Sequence, residues 1–253
     1  MENGTAKWRL IPLSKNNAYI NMAIDEAVAN AVSRGLSPPT VRFYTWEPSA
    51  VSIGYFQRMD KEVDVAHCTR EGIDFIRRNT GGGAVYHDSQ GEITYSVIAP
   101  EGMFPKGIIE SYKVICSWIV AGLAEAGISA EFRPINDIVT GGKKISGNAQ
   151  TRRNGVLLQH GTILYDVNPE VMFTCLKVSD EKIRDKMISA VHERVTSVKS
   201  ISDVGVDGLY KSLLNGFSDG KEWSFGKLSE NEVREAERLA EEKYKLREWN
   251  FLR

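Results

Sequence analysis

One stretch of the chain concentrates residues able to handle an anion: Arg77-Arg78-Asn79-Thr80-Gly81-Gly82-Gly83-Ala84-Val85-Tyr86-His87-Asp88. Three successive glycines expose backbone N–H groups with no side chain to block approach, which suits an anionic ligand. The two arginines can meet phosphate or carboxylate oxygens in fork geometry. The stretch is not a P-loop, because no Gly-Lys-Ser/Thr follows, and it holds no dinucleotide-binding Gly-x-Gly-x-x-Gly. Composition alone leaves a second reading open, a glycine-rich strand connection whose arginines face solvent.

Two further segments carry candidate chemistry. Asn136-Asp137-Ile138 precedes Gly141-Gly142-Lys143-Lys144-Ile145-Ser146-Gly147, so a carboxylate and an amide stand just ahead of a lysine that begins a strand. Lys144 can neutralise charge as a carboxylate attacks a phosphate, and Asp137 can hold Mg²⁺. The alternative is a surface hairpin with a solvated lysine pair. Gln159-His160-Gly161-Thr162 lies within an apolar strand, where a histidine is either a satisfied core residue or a site residue.

Periodicity names the elements that must position these residues. Ile20, Ala23, Ile24, Ala27 and Val28 recur at helical spacing, so 20–33 reads as a helix stopped by Gly35 and Pro38-Pro39. Residues 40–46, 50–56 and 74–78 read as strands, with a short helix over 63–70. The segments 84–87 and 92–98 read as a hairpin around Asp88-Ser89-Gln90-Gly91. Ile109, Tyr112, Ile115, Cys116, Ile119 and Leu123 mark the strongest helix, over 108–126. Residues 129–133, 138–140 and 144–149 are strand-like. The last of these continues to a turn at Asn154-Gly155 and returns over 156–165. Helices follow over 170–176, 180–189, 206–217 and 230–244, the last opened by a Ser229–Glu232 capping box. Residues 178–199, charged with both signs and weakly patterned, also read as a mobile loop. The expected class is α+β: mixed or antiparallel sheets packed with helices, in one catalytic domain over 1–253 whose helical part, 168–253, packs on the rest.

Composition removes several function classes. With 42% apolar and 26% charged residues the chain is that of a soluble globular protein, and its formal charge of -1 disfavours general nucleic-acid binding. Cys68, Cys116 and Cys175 are scattered without Cys-x-x-Cys spacing, against both a disulfide framework and a zinc site. The N-terminal residues 1–8 hold no apolar signal-peptide core, and no uncharged run is long enough to cross a bilayer. A cytoplasmic protein, with no membrane or nucleic-acid partner, is expected.

Taken in order, Arg78 to Asp88, Asn136-Asp137-Ile138, Lys143-Lys144-Ile145-Ser146-Gly147 and His160-Gly161-Thr162 resemble the lipoate–protein ligase A family, part of a wider group with biotin ligases and octanoyltransferases. Ser52-Ile53-Gly54-Tyr55-Phe56-Gln57 and Arg194-Val195-Thr196-Ser197-Val198 extend the resemblance over nearly the whole chain. It implies a biotin/lipoate protein ligase-like fold and an ATP-dependent ligase that converts lipoate to lipoyl-AMP. The lipoyl group then passes to a lysine of a lipoyl-domain carrier or glycine-cleavage H protein. By this resemblance Lys144 is the active-site lysine, contacting acyl carboxyl and phosphate. Arg78, Thr80, Gly81, Gly82, Gly83, Ala84, Val85 and Tyr86 bind ATP and substrate, while Asn136 and Asp137 lie at the adenylate and Mg²⁺. His87, Gly147, Ala149, His160 and Thr162 border the acyl tunnel. Because the chain ends at Arg253, it resembles archaeal-type ligases that need a separate small accessory subunit for adenylation.

Neighbouring functions make different demands. An octanoyltransferase working through a thioester needs a thiolate in the pocket. Cysteine-dependent relatives place theirs just before or within the segment that is 132–138 here, which contains none. A biotin ligase would carry Gly-Arg-Gly-Arg in place of residues 80–88. A non-catalytic lipoate-binding protein would need the pocket but not Lys144 together with Arg78.

Overall fold

The computed structural model describes residues 7–178 and 180–253; the first six residues of the stretch read for a signal peptide lie outside them. Strand β1 (Trp8–Asn16), which the apolar pattern had not marked, opens the fold, and the Asn17 side chain then caps helix α1 (Ala18–Ser33) by accepting from the Ile20 amide. Strands β2 (Thr40–Trp46) and β3 (Ala50–Ile53) follow. A short helix α2 (Met59–Glu62), not read from the sequence, precedes the helix expected over 63–70, which is α3 (Val65–Arg70) and leads to β4 (Asp74–Arg77).

The expected hairpin over 84–98 does not form. β5 (Val85–His87) pairs antiparallel with β3, whose other neighbour is β4, in a three-stranded sheet. β6 (Glu92–Pro100) instead joins the main sheet, beside β2. The Asp88–Gly91 turn is present, with the Gly91 amide donating to the Asp88 carbonyl at 3.3 Å, but it carries the chain from one sheet to the other.

Helix α4 (Ile108–Glu125) covers the main sheet, and β7 (Glu131–Arg133), β8 (Asp137–Thr140), β9 (Lys143–Arg153) and β10 (Val156–Leu164) extend it. The β9–β10 turn uses left-handed backbone at both Asn154 (φ 52°) and Gly155 (φ 73°), as a two-residue hairpin requires. Helix α5 (Pro169–Cys175) is the one expected over 170–176, and α6 (Glu181–Arg194) and the start of α7 (Val198–Ile201) occupy the 178–199 region that had also read as a loop. Helix α8 (Val206–Ser218), a short β11 (Trp223–Phe225), α9 (Glu230–Leu239) continued by a π-turn over Ala240–Tyr244, and α10 (Arg247–Asn250) complete the chain. The main sheet runs β11-β1-β2-β6-β10-β9-β8-β7. This is the mixed α+β architecture read from the sequence.

Both faces of the central strands are buried, and strand alternation sorts their residues. Val41, Phe43, Ile93, Tyr95, Val97, Leu157 and Ile163 pack against α4 and α8. The opposite face carries Tyr44, Trp46, Ile98, Val156 and Leu158 under α1 and α9. It also carries the buried polar residues Arg42, Glu92, Thr94, Ser96 and His160.

Helix α9 is fastened to β1 by a buried ion pair. Glu232, 2% exposed, completes the capping box at Ser229 and accepts two hydrogen bonds from Arg9, at 2.6 and 2.8 Å, and a third from Ser37. Glu232→Ala leaves Arg9 without its partner and should cost about 3–5 kcal/mol of stability, read by urea unfolding. Burial opposes the Glu232 and Asp25 carboxylates, yet Arg9 and Arg42 respectively hold both below the ordinary range. Their stabilisation is therefore complete above the unfolded carboxylate range near pH ~4 and lost as pH falls through the lower folded values. Glu232→Gln should flatten the acid limb of a stability–pH curve; an unchanged slope would remove Glu232 from the account.

Candidate active site

The β3 alternation sends Val51 and Ile53 into a small core with Met59, Cys68 and Cys175, and leaves Ser52 facing the main sheet. From the end of β4 the chain turns through Arg78 into the glycine run. Arg78 is buried, and its guanidinium donates to the Thr80 hydroxyl, the Ser52 carbonyl and hydroxyl, and the carbonyls of Gly81 and Gly83 at 2.7–3.1 Å. Among the described residues it pairs with no carboxylate, and burial pushes its pKa down to about 10. The Gly82 carbonyl rests on Gly54, where an added Cβ would lie 2.0 Å from its oxygen. With the carbonyls of the run turned inward, the Gly82 and Gly83 amides donate to no acceptor among the described residues.

On either side of Arg78 stands a hydroxyl, an imidazole and a carboxylate in series. The Ser52 hydroxyl lies 2.8 Å from His87 Nε2, and His87 Nδ1 lies 2.8 Å from Glu92 Oε1. That Glu92 oxygen also accepts from Trp46 Nε1 and the Thr94 hydroxyl, and Trp46 stacks on the His87 ring at 4.0 Å. In the other series the Thr80 hydroxyl lies 2.7 Å from His160 Nε2, whose Nδ1 is 3.2 Å from Asp25 Oδ2. Arg42 and Ser96 complete the Asp25 carboxylate. Burial drives His160 below the usual histidine range, so its ring is neutral near pH 7. In both series the carboxylate places the imidazole proton on Nδ1 and leaves Nε2 to accept from the hydroxyl.

A cavity of about 370 Å³ opens between these groups and β9. Arg78, Gly82, Gly83, Ala84, Val85, Tyr86, His87, Asn136, Lys144, Gly147, Ala149, His160 and Thr162 line it, so the three sequence segments converge on one space. Met22, Tyr44, Trp46, Leu164, Val167 and Met172 give it an apolar wall, and Val191 and Val195, from α6 and its C-cap, close over it. Lys144 sits at the exposed end, 39% accessible, and pairs with Asp137 at 2.7 Å. Its backbone carbonyl accepts from the Thr196 amide, tying the segment after α6 to the edge of the site.

Some predicted site residues lie elsewhere. Thr80 and Gly81 do not line the cavity; Thr80 acts one layer back, through His160. Asp137 lies off the cavity and is engaged by Lys144, and no cluster of three or more His, Cys, Asp or Glu suited to a metal exists among the described residues. One carboxylate already paired with a lysine does not fit Mg²⁺. Arg77 faces away, holding the carbonyls of Gly54, Tyr55, Gln57, Trp249 and Asn250. None of the three cysteines lines the cavity. Cys116, on the buried face of α4, is pushed up to about 12 by burial; in the small core away from the cavity the Cys68–Cys175 contact, ahead of burial, raises Cys68 and lowers Cys175 to about 7. The sequence reading missed Asp25, Arg42, Ser52 and Glu92 as site residues. A signal existed for Asp25, an acid between Ile24 and Ala27 on the apolar stripe of α1.

Residues 17–218 match the family model of the lipoyl protein ligase A/B catalytic domain, and the chain belongs to that family. Within it, the chain is 39% identical to the octanoyltransferase LipM of Kyrpidia tusciae, over 96% of this chain and 98% of the relative. It is 34% identical to that of Brevibacillus brevis, over 98% and 99%. In three dimensions it is similar to the bipartite lipoate protein ligase of Thermoplasma acidophilum, solved in a study of that enzyme and its E2 lipoyl domain. There the TM-score is 0.88 and the identity 34%, over 97% of this chain and 96% of that one.

The full-length octanoyltransferase relatives overturn the expectation of an ATP-dependent ligase. The motifs that prompted it shape a largely apolar cavity with a lysine at its mouth. They do not distinguish a ligase from an acyltransferase. The arginine expected to grip phosphate is, in this structure, engaged by its own loop and by Ser52.

Gly54→Ala must displace the Gly82 carbonyl and so move the wall of the cavity. Acyl transfer should fall at least about tenfold, as misplacement by an ångström does, while far-ultraviolet circular dichroism stays that of wild type. Unchanged transfer would show that the loop gives way freely.

Proposed function

We propose that the chain, acting as one catalytic unit over 1–253, is an octanoyltransferase that moves an octanoyl group from a thioester donor to a lysine of a lipoyl carrier protein. The observation that carries the reading is a largely apolar cavity with a lysine ammonium at its open end, in a chain related over its full length to octanoyltransferases. The carrier class is supported by the lipoyl domain studied with the T. acidophilum neighbour. ATP and lipoyl-AMP have no part in this reaction, because a thioester is already activated. Without an adenylation step the reaction needs no accessory subunit for it.

The chemistry suits the site. As an amine displaces a thiolate, negative charge develops on the acyl oxygen. A fixed ammonium and unpaired backbone N–H groups in a site screened from water stabilise that charge. The Gly82 and Gly83 amides, which donate to no acceptor among the described residues, can supply such stabilisation within the cavity, and Lys144 can do so at its open end. The apolar wall takes the chain, each buried methylene contributing about 0.8 kcal/mol.

The test supplies an octanoyl thioester of a phosphopantetheinyl carrier, a lipoyl domain and no ATP, and follows amide formation by mass spectrometry. Transfer is expected. Modification of the lipoyl domain only from free octanoate with ATP would overturn the proposal. Lys144→Ala should lower kcat by about 10²–10³, as loss of an oxyanion donor does, with little change in Tm, since its side chain packs on little else. A variant with Cys68, Cys116 and Cys175 all replaced by alanine should retain transfer; its loss in a folded variant would point to a cysteine thioester.

A further inference from the structure

We propose that Ser52 is the nucleophile that carries the octanoyl group between donor and acceptor, as an oxygen ester activated by His87 and Glu92. This rests on the octanoyltransferase reading and adds to it the covalent step.

Four observations converge on Ser52. No cysteine lines the cavity, so the thiolate that a thioester intermediate requires is absent from its wall among the described residues. Ser52 does line it. Its hydroxyl, the His87 ring and the Glu92 carboxylate form two successive 2.8 Å contacts, the geometry in which a base takes a hydroxyl proton while an acid orients the base. Arg78 donates to the same hydroxyl oxygen at 3.1 Å, placing a positive charge where an alkoxide would form.

The parallel series supplies an internal control. Thr80, His160 and Asp25 have the same order of groups, and Arg78 donates to Thr80 as well. Thr80 does not line the cavity, however, and cannot meet an acyl group there. The geometry thus selects one hydroxyl of the two.

The step balances without an added reactant. Ser52 Oγ bonds to the thioester carbonyl carbon, the carbon–sulfur bond breaks, and the serine proton passes through His87 Nε2 to the departing thiolate. The carrier lysine, arriving as a neutral amine, then attacks the ester carbonyl. A carbon–nitrogen bond forms, the carbon–oxygen bond breaks, and an amine proton returns through His87 to Ser52.

The experiment exposes the full chain to the octanoyl thioester donor without acceptor under rapid quench and measures intact mass. One octanoyl group per chain is expected. It should survive neutral hydroxylamine, map to Ser52, and disappear when lipoyl domain is added. Ser52→Ala should lose the adduct and lower transfer by on the order of 10⁴. Ser52→Cys, nearly isosteric, should carry an adduct that neutral hydroxylamine cleaves. Wild-type transfer with no acyl group on Ser52, or undiminished transfer by Ser52→Ala, would overturn the inference and leave the proposed function standing. Failure of the wild-type chain to octanoylate the carrier would overturn the proposed function itself.

Discussion

Arg78 is a cation removed from water and met at hydrogen-bond distance only by neutral acceptors, the carbonyls of Ser52, Gly81 and Gly83 and the hydroxyls of Ser52 and Thr80. Burying a charge in this way is tolerable only when every donor finds a partner. The need to satisfy five N–H groups therefore dictates the path of the glycine run, which folds back to bring two of its carbonyls to one nitrogen. No side chain could be accommodated where the Gly82 carbonyl meets Gly54. The loop is shaped from behind, by the cation it encloses, and Gly82 and Gly83 line the cavity as a result.

The same guanidinium joins two layers of the molecule. Ser52 belongs to the three-stranded sheet, whereas His160, reached through Thr80, belongs to the eight-stranded one. Glu92 begins the strand that leaves the small sheet's turn for the large sheet. The cavity lies where these sheets part, walled by both and closed by the segment around α6. A cleft between two sheets is a natural position for a ligand, because its walls are rigid and its rim is made of connections.

Much of this was legible in the sequence. Helices α1, α4 and α8 follow from apolar spacing, and the β9–β10 hairpin from Asn154-Gly155. The convergence of Arg78, Lys144 and His160 on one cavity follows from the family resemblance. What stayed hidden was non-local. The Asp88–Gly91 turn has hairpin composition, but turn chemistry does not say which strand each arm will pair with, and here β5 found β3. Ser52 sits in a four-residue strand between Val51 and Ile53, where a serine reads as filler until its partner 35 residues away is known. The reaction class was misread for a related reason. Ligases and octanoyltransferases must both hold an acyl chain and offer it to a lysine, so the motifs that serve this task are shared.

Arg77, next to Arg78, is fastened by the far end of the chain: its amide donates to Asn250 Oδ1 and its guanidinium to the Trp249 and Asn250 carbonyls, while Trp249 Nε1 donates back to its own carbonyl. The base of the glycine loop is thus clamped by α10, 172–173 residues away in sequence. Local opening of α10 would therefore loosen one wall of the cleft while the strands of both sheets stay paired.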